Sequence, residues 1–365
     1  MWPEYSRACI NDVAALLRRG GSLSAYRASS AFPDWIGPRK DSEAWRFERE
    51  VEKAFKVRHC VAVNSGTAAL HGALVALGVG PGDEVVVSPY TFSASASAIL
   101  LAGAVPRFCD IDPFNFCATP ETVRPHINKR TKAIIVVHLF GYFQNLEGFK
   151  EFGVPVVEDA CQAVGARRGQ AWAGTSSVAG ALSFNGGKNL PTGEGGAVVT
   201  NDAKLARKIQ LFVNHQENFG TQTVGVNYRM QEVVACIARH GLRELEVRNA
   251  RRRELVERVN SLIPWYAFSD YNEPEHHVFY VAPLILSDRR QRASFIKRCA
   301  KRGLAVQSGY TLPLHHLPAF KTYATRPLPV VDDVHDRLVL ITTLTSDRKL
   351  SYADEVASII SEALK

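Results

Sequence analysis

Apolar positions along the chain switch repeatedly between a helical and a strand rhythm. Between residues 43 and 55 they recur at Ala44, Phe47, Val51 and Phe55, which predicts an amphipathic helix, and Cys60-Val61-Ala62-Val63 then reads as a short buried strand. An Ala/Leu-rich stretch at 67–77 predicts a second helix, EVVV at 84–87 a strand, and the small residues of 94–102 a third helix. Further strands are expected at 105–108, 133–137, 154–157, 180–184 and 196–200. This alternation predicts parallel βαβ units: an α/β fold with a mainly parallel central sheet and helices on both faces.

Beyond Asp202 the texture changes. Residues 232–258 predict a long amphipathic helix, with Val233, Ile237, Leu242, Leu245 and Val247 set among charges. A strand is expected at 278–284, a basic helix at 290–303 that stops on a glycine, an apolar segment at 338–342 and a terminal helix at 352–364. The expected organisation is a large domain over 1–245, with an N-terminal arm at 1–40, and a small α+β C-terminal domain over 246–365.

Composition narrows the class. A chain of 365 residues with 46% hydrophobic and 22% charged content has the make-up of an ordinary globular protein. The MWPEY start lacks the pattern of a secretory signal, and the longest apolar runs are strand-length, so no membrane span is expected. Seven scattered cysteines without a Cys-x-x-Cys pair argue for reduced thiols in a cytoplasm and against a zinc site, so no metal is expected. The net charge is +8, and between 239 and 302 fourteen Lys/Arg stand against eight Asp/Glu. Two solvated helix faces would explain that excess; so would a polyanionic substrate or nucleic acid.

The chemistry concentrates where strands end. SFNGGKNLPTGEGG (183–196) sets Lys188 in a glycine-rich turn after an apolar strand, and Asp159 closes another apolar run at VVED. Strands on both sides would bury Lys188, and an amine taken out of water gives up its proton more readily. A lysine to form an imine and an aspartate to keep a pyridine nitrogen protonated are what a pyridoxal phosphate (PLP) enzyme requires. The NSGTAAL stretch (64–70) offers a phosphate cup at a helix start, with Ser65, Gly66 and Thr67. Each feature has a structural alternative: a surface lysine, an aspartate or serine capping a helix, Phe92 as core packing, Gln162 on a helix surface. The combination is what favours the cofactor.

In order along the chain, SGTAAL, GDEVVVSPYTF, DID, RTKAIIVVHLFG, VVEDACQAVGA, SFNGGKNLPTGEGG and VNYRMQEVVA resemble the DegT-like (DegT/StrS) sugar aminotransferases, PLP-dependent enzymes of fold type I. The resemblance spans roughly residues 45–260 and, more loosely, the C-terminal part. It implies that Lys188 holds PLP as a Schiff base, Asp159 pairs with the pyridine nitrogen, Gln162 approaches the 3-oxygen and Phe92 stacks on the ring. It further implies that Gly66, Thr67 and Ser183 bind the phosphate, and that Asn227 reaches the phosphate of the neighbouring subunit in a homodimer with composite sites. Departures fall at Cys161, at Asn185-Gly186-Gly187, at 214–219 and in the first forty residues.

The leading expectation is therefore an aminotransferase that takes an amino group from glutamate or glutamine and gives it to a keto group, on a nucleotide-linked sugar. A second is a PLP-dependent decarboxylase, lyase or transferase acting on an amino-acid-modified base in DNA or another large polyanion. A third is a regulatory protein that has kept the fold.

Overall fold

The computed structural model describes residues 5–20, 22–24, 37–215, 224–263, 273–310, 312–342 and 344–365. The helices within them are α1 (Arg7–Arg18), α2 (Glu43–Phe55), α3 (Gly66–Ala76), α4 (Ala94–Leu101), α5 (Pro120–Val123), α6 (Ala203–Val213), α7 (Glu232–Leu262), α8 (Arg289–Lys301), α9 (Pro329–Arg337) and α10 (Leu350–Leu364). The strands are β1 (His59–Val63), β2 (Glu84–Val87), β3 (Val105–Phe108), β4 (Thr131–Val137), β5 (Val156–Asp159), β6 (Arg167–Arg168), β7 (Ala171–Trp172), β8 (Ala179–Ser183), β9 (Gly196–Thr200), β10 (Ala282–Ile285), β11 (Val306–Gln307) and β12 (Leu338–Ile341).

Seven strands form the central sheet in the order β1-β9-β8-β5-β4-β2-β3. Pairing from β8 across to β3 is parallel, while β9 runs antiparallel to both β8 and β1. Side chains alternate between the two faces, as a strand's two-residue period requires. Val61 and Val63 enter the core on one face with α3, and Cys60 and Ala62 enter the other with Phe47 and Val51 of α2. Both faces are covered, so the middles of these strands are apolar on both sides. The small sheet, β10-β12-β11, has a core of its own with Phe295 of α8 and Ile360 of α10.

The boundary expected at 245/246 falls inside one continuous helix. Along α7, Ala235, Ala238 and Leu245 pack into the core of the large sheet, whereas Leu255, Val256 and Val259 pack into that of the small sheet. The strand expected at 278–284 begins only at Ala282. Phe279 sits at φ +43 with its N–H donating to His277 Nδ1 at 2.7 Å, while Val278 N–H bonds Gly141 O, so local bonds turn this stretch onto residues 140–141 instead of into the sheet.

The arginines of α7 are largely ion-paired within the chain. Arg239 pairs with Glu43 and Glu50, Arg243 with Glu50, Arg248 with Glu244, Arg253 with Glu246 and Arg258 with Asp354.

Candidate active site

β1, β2, β5 and β8 point the same way, and their C-terminal ends meet along one edge of the sheet, where open α/β folds bind ligands. A cavity of about 390 Å³ opens there, lined by Ser65, Gly66, Thr67, Phe92, Asp159, Gln162, Ser183 and Lys188. Eight of the nine expected site residues are thus brought together from positions up to 123 apart in sequence. The ninth, Asn227, is exposed and lies outside the lining.

Lys188 occupies the connection between the antiparallel neighbours β8 and β9. That connection is pinned by Phe184 N to Gly195 O (2.9 Å), Gly186 N to Gly193 O (2.8 Å) and Lys188 N to Asn185 O (2.8 Å). Gly193 (φ +90) and Gly195 (φ +158) supply the left-handed backbone that the turn requires. The expected burial of Lys188 is corrected. It is half-buried, because the turn projects beyond the sheet edge, and its Nζ lies 4.3 Å from the centroid of the Tyr280 ring.

Asp159 ends β5 and is 5% exposed. Its Oδ2 accepts from Ser95 Oγ at 2.7 Å and its Oδ1 from Cys161 N–H at 3.2 Å. It caps no helix, since turns follow β5. Gln162 lies in one of those turns and is buried. Its Oε1 accepts from Phe140 N–H (2.9 Å) and its Nε2 donates to Tyr310 Oη (3.0 Å). Phe92 is 62% exposed at the rim, so it packs no core and its face is free. Of the phosphate cup, Ser65 is the N-cap of α3, the structural alternative weighed for it: its Oγ accepts from Ala68 N–H at 3.1 Å and keeps its own O–H as a donor.

Other cavity residues escaped the sequence reading: Ser95, Tyr280, Gln307 and Tyr310. Tyr310 is in the hydrophobic core cluster's margin, and burial pushes its hydroxyl well up from the ordinary value. Burial also raises the Cys161 thiol, reinforced by the charge of Asp159, so this cysteine is a wall of the cavity and no nucleophile. The departure at 214–219 lies mostly outside the described residues, as does much of the N-terminal arm, including Arg27.

Two observations test whether these residues suit PLP. A buried carboxylate facing a cavity needs compensation, yet Asp159 forms no ion pair with a cation of the chain among the described residues; a protonated pyridine nitrogen would supply it. At the start of α3 the N–H groups of Gly66 and Thr67 have no acceptor among the described residues, as a helix N-terminus awaiting an anion requires. A Cβ on Gly66 would stand 2.7 Å from Cys161 Sγ and 2.9 Å from Ser183 Cβ, so only glycine leaves this approach open. The residues fit the cofactor.

A mainly parallel sheet carrying a lysine, an uncompensated aspartate and an amide cup at one edge defines a PLP-dependent transferase of fold type I. The profile of the DegT/DnrJ/EryC1/StrS aminotransferase family matches residues 35–361, and the chain belongs to that family; it is a PLP-dependent aminotransferase. It is 34% identical over 333 residues (87% of each chain) to UDP-N-acetyl-3-dehydro-α-D-glucosamine 3-aminotransferase of Acidithiobacillus ferrooxidans. It is 37% identical over 282 residues, 72% of this chain and 64% of the relative, to L-glutamine:2-deoxy-scyllo-inosose aminotransferase of Streptomyces fradiae. The solved structure of S. venezuelae DesV in complex with a ketimine intermediate superposes with a TM-score of 0.86 at 28% identity, covering 98% of this chain and 95% of that one.

Proposed function

We propose that the protein moves an amino group from glutamate or glutamine to a keto group on a nucleotide-linked sugar. The observation that carries the chemistry is the pairing of Lys188 and uncompensated Asp159 on one cavity. The acceptor class is supported by the relative named for a UDP-linked dehydro sugar, and the donor by the relative named for L-glutamine.

Lys188 would hold PLP, Asp159 the pyridine nitrogen, and Gly66, Thr67 and Ser183 the phosphate, with Phe92 against the ring. When bound, the coenzyme supplies an electron sink that makes the donor's α-proton removable. Lys188 Nζ then takes that proton and returns it as general base and acid. Gln162, fixed by Phe140 and Tyr310, would offer its amide to the 3-oxygen. Asn227, exposed and outside the lining of its own cavity, would reach a second subunit's phosphate in a homodimer. The seven cysteines are unpaired, which supports the reducing cytoplasm as the setting, and no helix among the described residues is long and apolar enough to cross a membrane.

The test is the absorbance of the purified holoenzyme before and after glutamine or glutamate, followed by a panel of nucleotide-linked keto sugars. Loss of the lysine-linked coenzyme band with a donor, and its return with one keto sugar, is the expected result. Lys188→Ala should abolish both that band and turnover; full turnover in the variant would overturn the mechanism. A band that ignores every amino donor would overturn transamination.

A further inference from the structure

Behind Lys188 and Tyr280 lies a second cavity of about 490 Å³, between the 186–191 turn, α7 and the segment that follows β12. It shares Lys188, Tyr280 and Gln307 with the coenzyme cavity, so a molecule reacting at Lys188 can extend into it. Its inner wall carries Arg252, which is 7% exposed. Arg252 Nη1 donates to Phe279 O (3.2 Å) and Tyr280 O (3.3 Å), its Nε is buried without an acceptor, and its Nη2 makes no hydrogen bond among the described residues. A buried guanidinium this poorly satisfied is costly unless a ligand's oxygens complete it. It is fastened to Tyr280, the residue that Lys188 Nζ touches, and so stands next to the reacting amine.

The outer wall carries Asp347, which is exposed and forms no ion pair with Arg252. Although burial works against its charge, Thr345, its own N–H and the charges of Arg348 and Arg252 hold the carboxyl below its ordinary value, so it is an anion at neutral pH. Of the two arginines on the wall, Arg248 is paired with Glu244 (2.6 Å) and Arg252 has no carboxylate partner among the described residues; that cation inside and the anion of Asp347 outside suit a ligand with an oxyanion at its reacting end and an uncharged hydrogen-bond donor at the other.

Resting on the aminotransferase reading, we propose that this cavity is the donor subsite: Arg252 takes the α-carboxylate and Asp347 accepts from a side-chain carboxamide, so glutamine is used ahead of glutamate. A γ-carboxylate in the same place would meet Asp347 as a like charge, and the carboxamide would donate to it.

The experiment follows the coenzyme band of the holoenzyme while it reacts with glutamine, glutamate, aspartate or alanine in the absence of acceptor. The expected result is a kcat/KM for glutamine roughly tenfold above that for glutamate, the scale of one close like-charge contact near a surface. Asp347→Asn, a surface change, should erase most of that preference by improving glutamate. Arg252→Lys should raise KM for both donors more than it lowers kcat, with a thermal melt confirming that the variant folds. The proposal is overturned if wild type uses both donors equally and Asp347→Asn leaves the ratio unchanged. It is also overturned if Arg252→Lys weakens inhibition by pyrophosphate and spares donor KM, which would make the cavity an acceptor-phosphate subsite. If none of the amino acids reacts, the aminotransferase reading falls, and this one with it.

Discussion

Asp159 is buried and accepts two hydrogen bonds, from Ser95 Oγ and Cys161 N–H, and Ser95 Oγ is itself bonded to Thr91 Oγ1 at 3.1 Å. Ser95→Ala removes one charge-assisted bond, worth about 1.5–3 kcal/mol. The expected outcome is a roughly tenfold or greater loss of coenzyme affinity, read by titrating the apoprotein with PLP and following absorbance. Gly66→Ala should be more damaging at the site, since its Cβ must displace Cys161 Sγ and Ser183 Cβ. Such crowding costs about 1–3 kcal/mol; the same titration should show coenzyme retention lost while far-UV dichroism is kept. Lys188 and Asp159 were legible in the sequence because each stands in an unusual setting, a glycine turn or the last place of an apolar run. Ser95 and Tyr310 were not, because a serine in a small-residue helix and a tyrosine in a loop acquire meaning only from partners 64 and 148 residues away.

Among the elements, α7 bears the most mechanical weight, since one helix serves the cores of both sheets. We place the division between the two parts within it, near residue 245, on that split. Leu255 is fully buried on the small-sheet side, and Leu255→Ala should cost about 2–5 kcal/mol, checked by urea midpoints. Arg252 lies a turn earlier, so a loosened α7 should also raise donor KM. The helix itself was readable from its apolar period. The turn at 278–281 was not: its apolar residues read as strand, and only the bonds to Gly141 O and within 277–279 divert it.

At the scale of the whole molecule, buried charge sets the response to pH. Glu48 is sealed between α2 and β1, accepting from Ala62 N–H at 2.9 Å, and burial pushes it up to about 8 from 4.5. The folded protein therefore retains a proton that the unfolded chain releases. Stability from this group is fully present below about 4.5 and is lost as pH rises toward about 8. Glu48→Gln should flatten that decline, measured as denaturation midpoints across this window; an unchanged slope would show that Glu48 is ionised in the folded state.

The α/β architecture, the cofactor and the lysine proposed to hold it were written in local pattern, because strand and helix periods and glycine turns are properties of neighbours along the chain. The hydrogen bonds of Asp159, the half-burial of Lys188, the ion pairing of the α7 arginines and the placing of Arg252 and Asp347 on one cavity came only with folding. Each depends on which distant groups reach hydrogen-bond or ion-pair distance and how much water the packing excludes, and periodicity along a chain carries neither quantity.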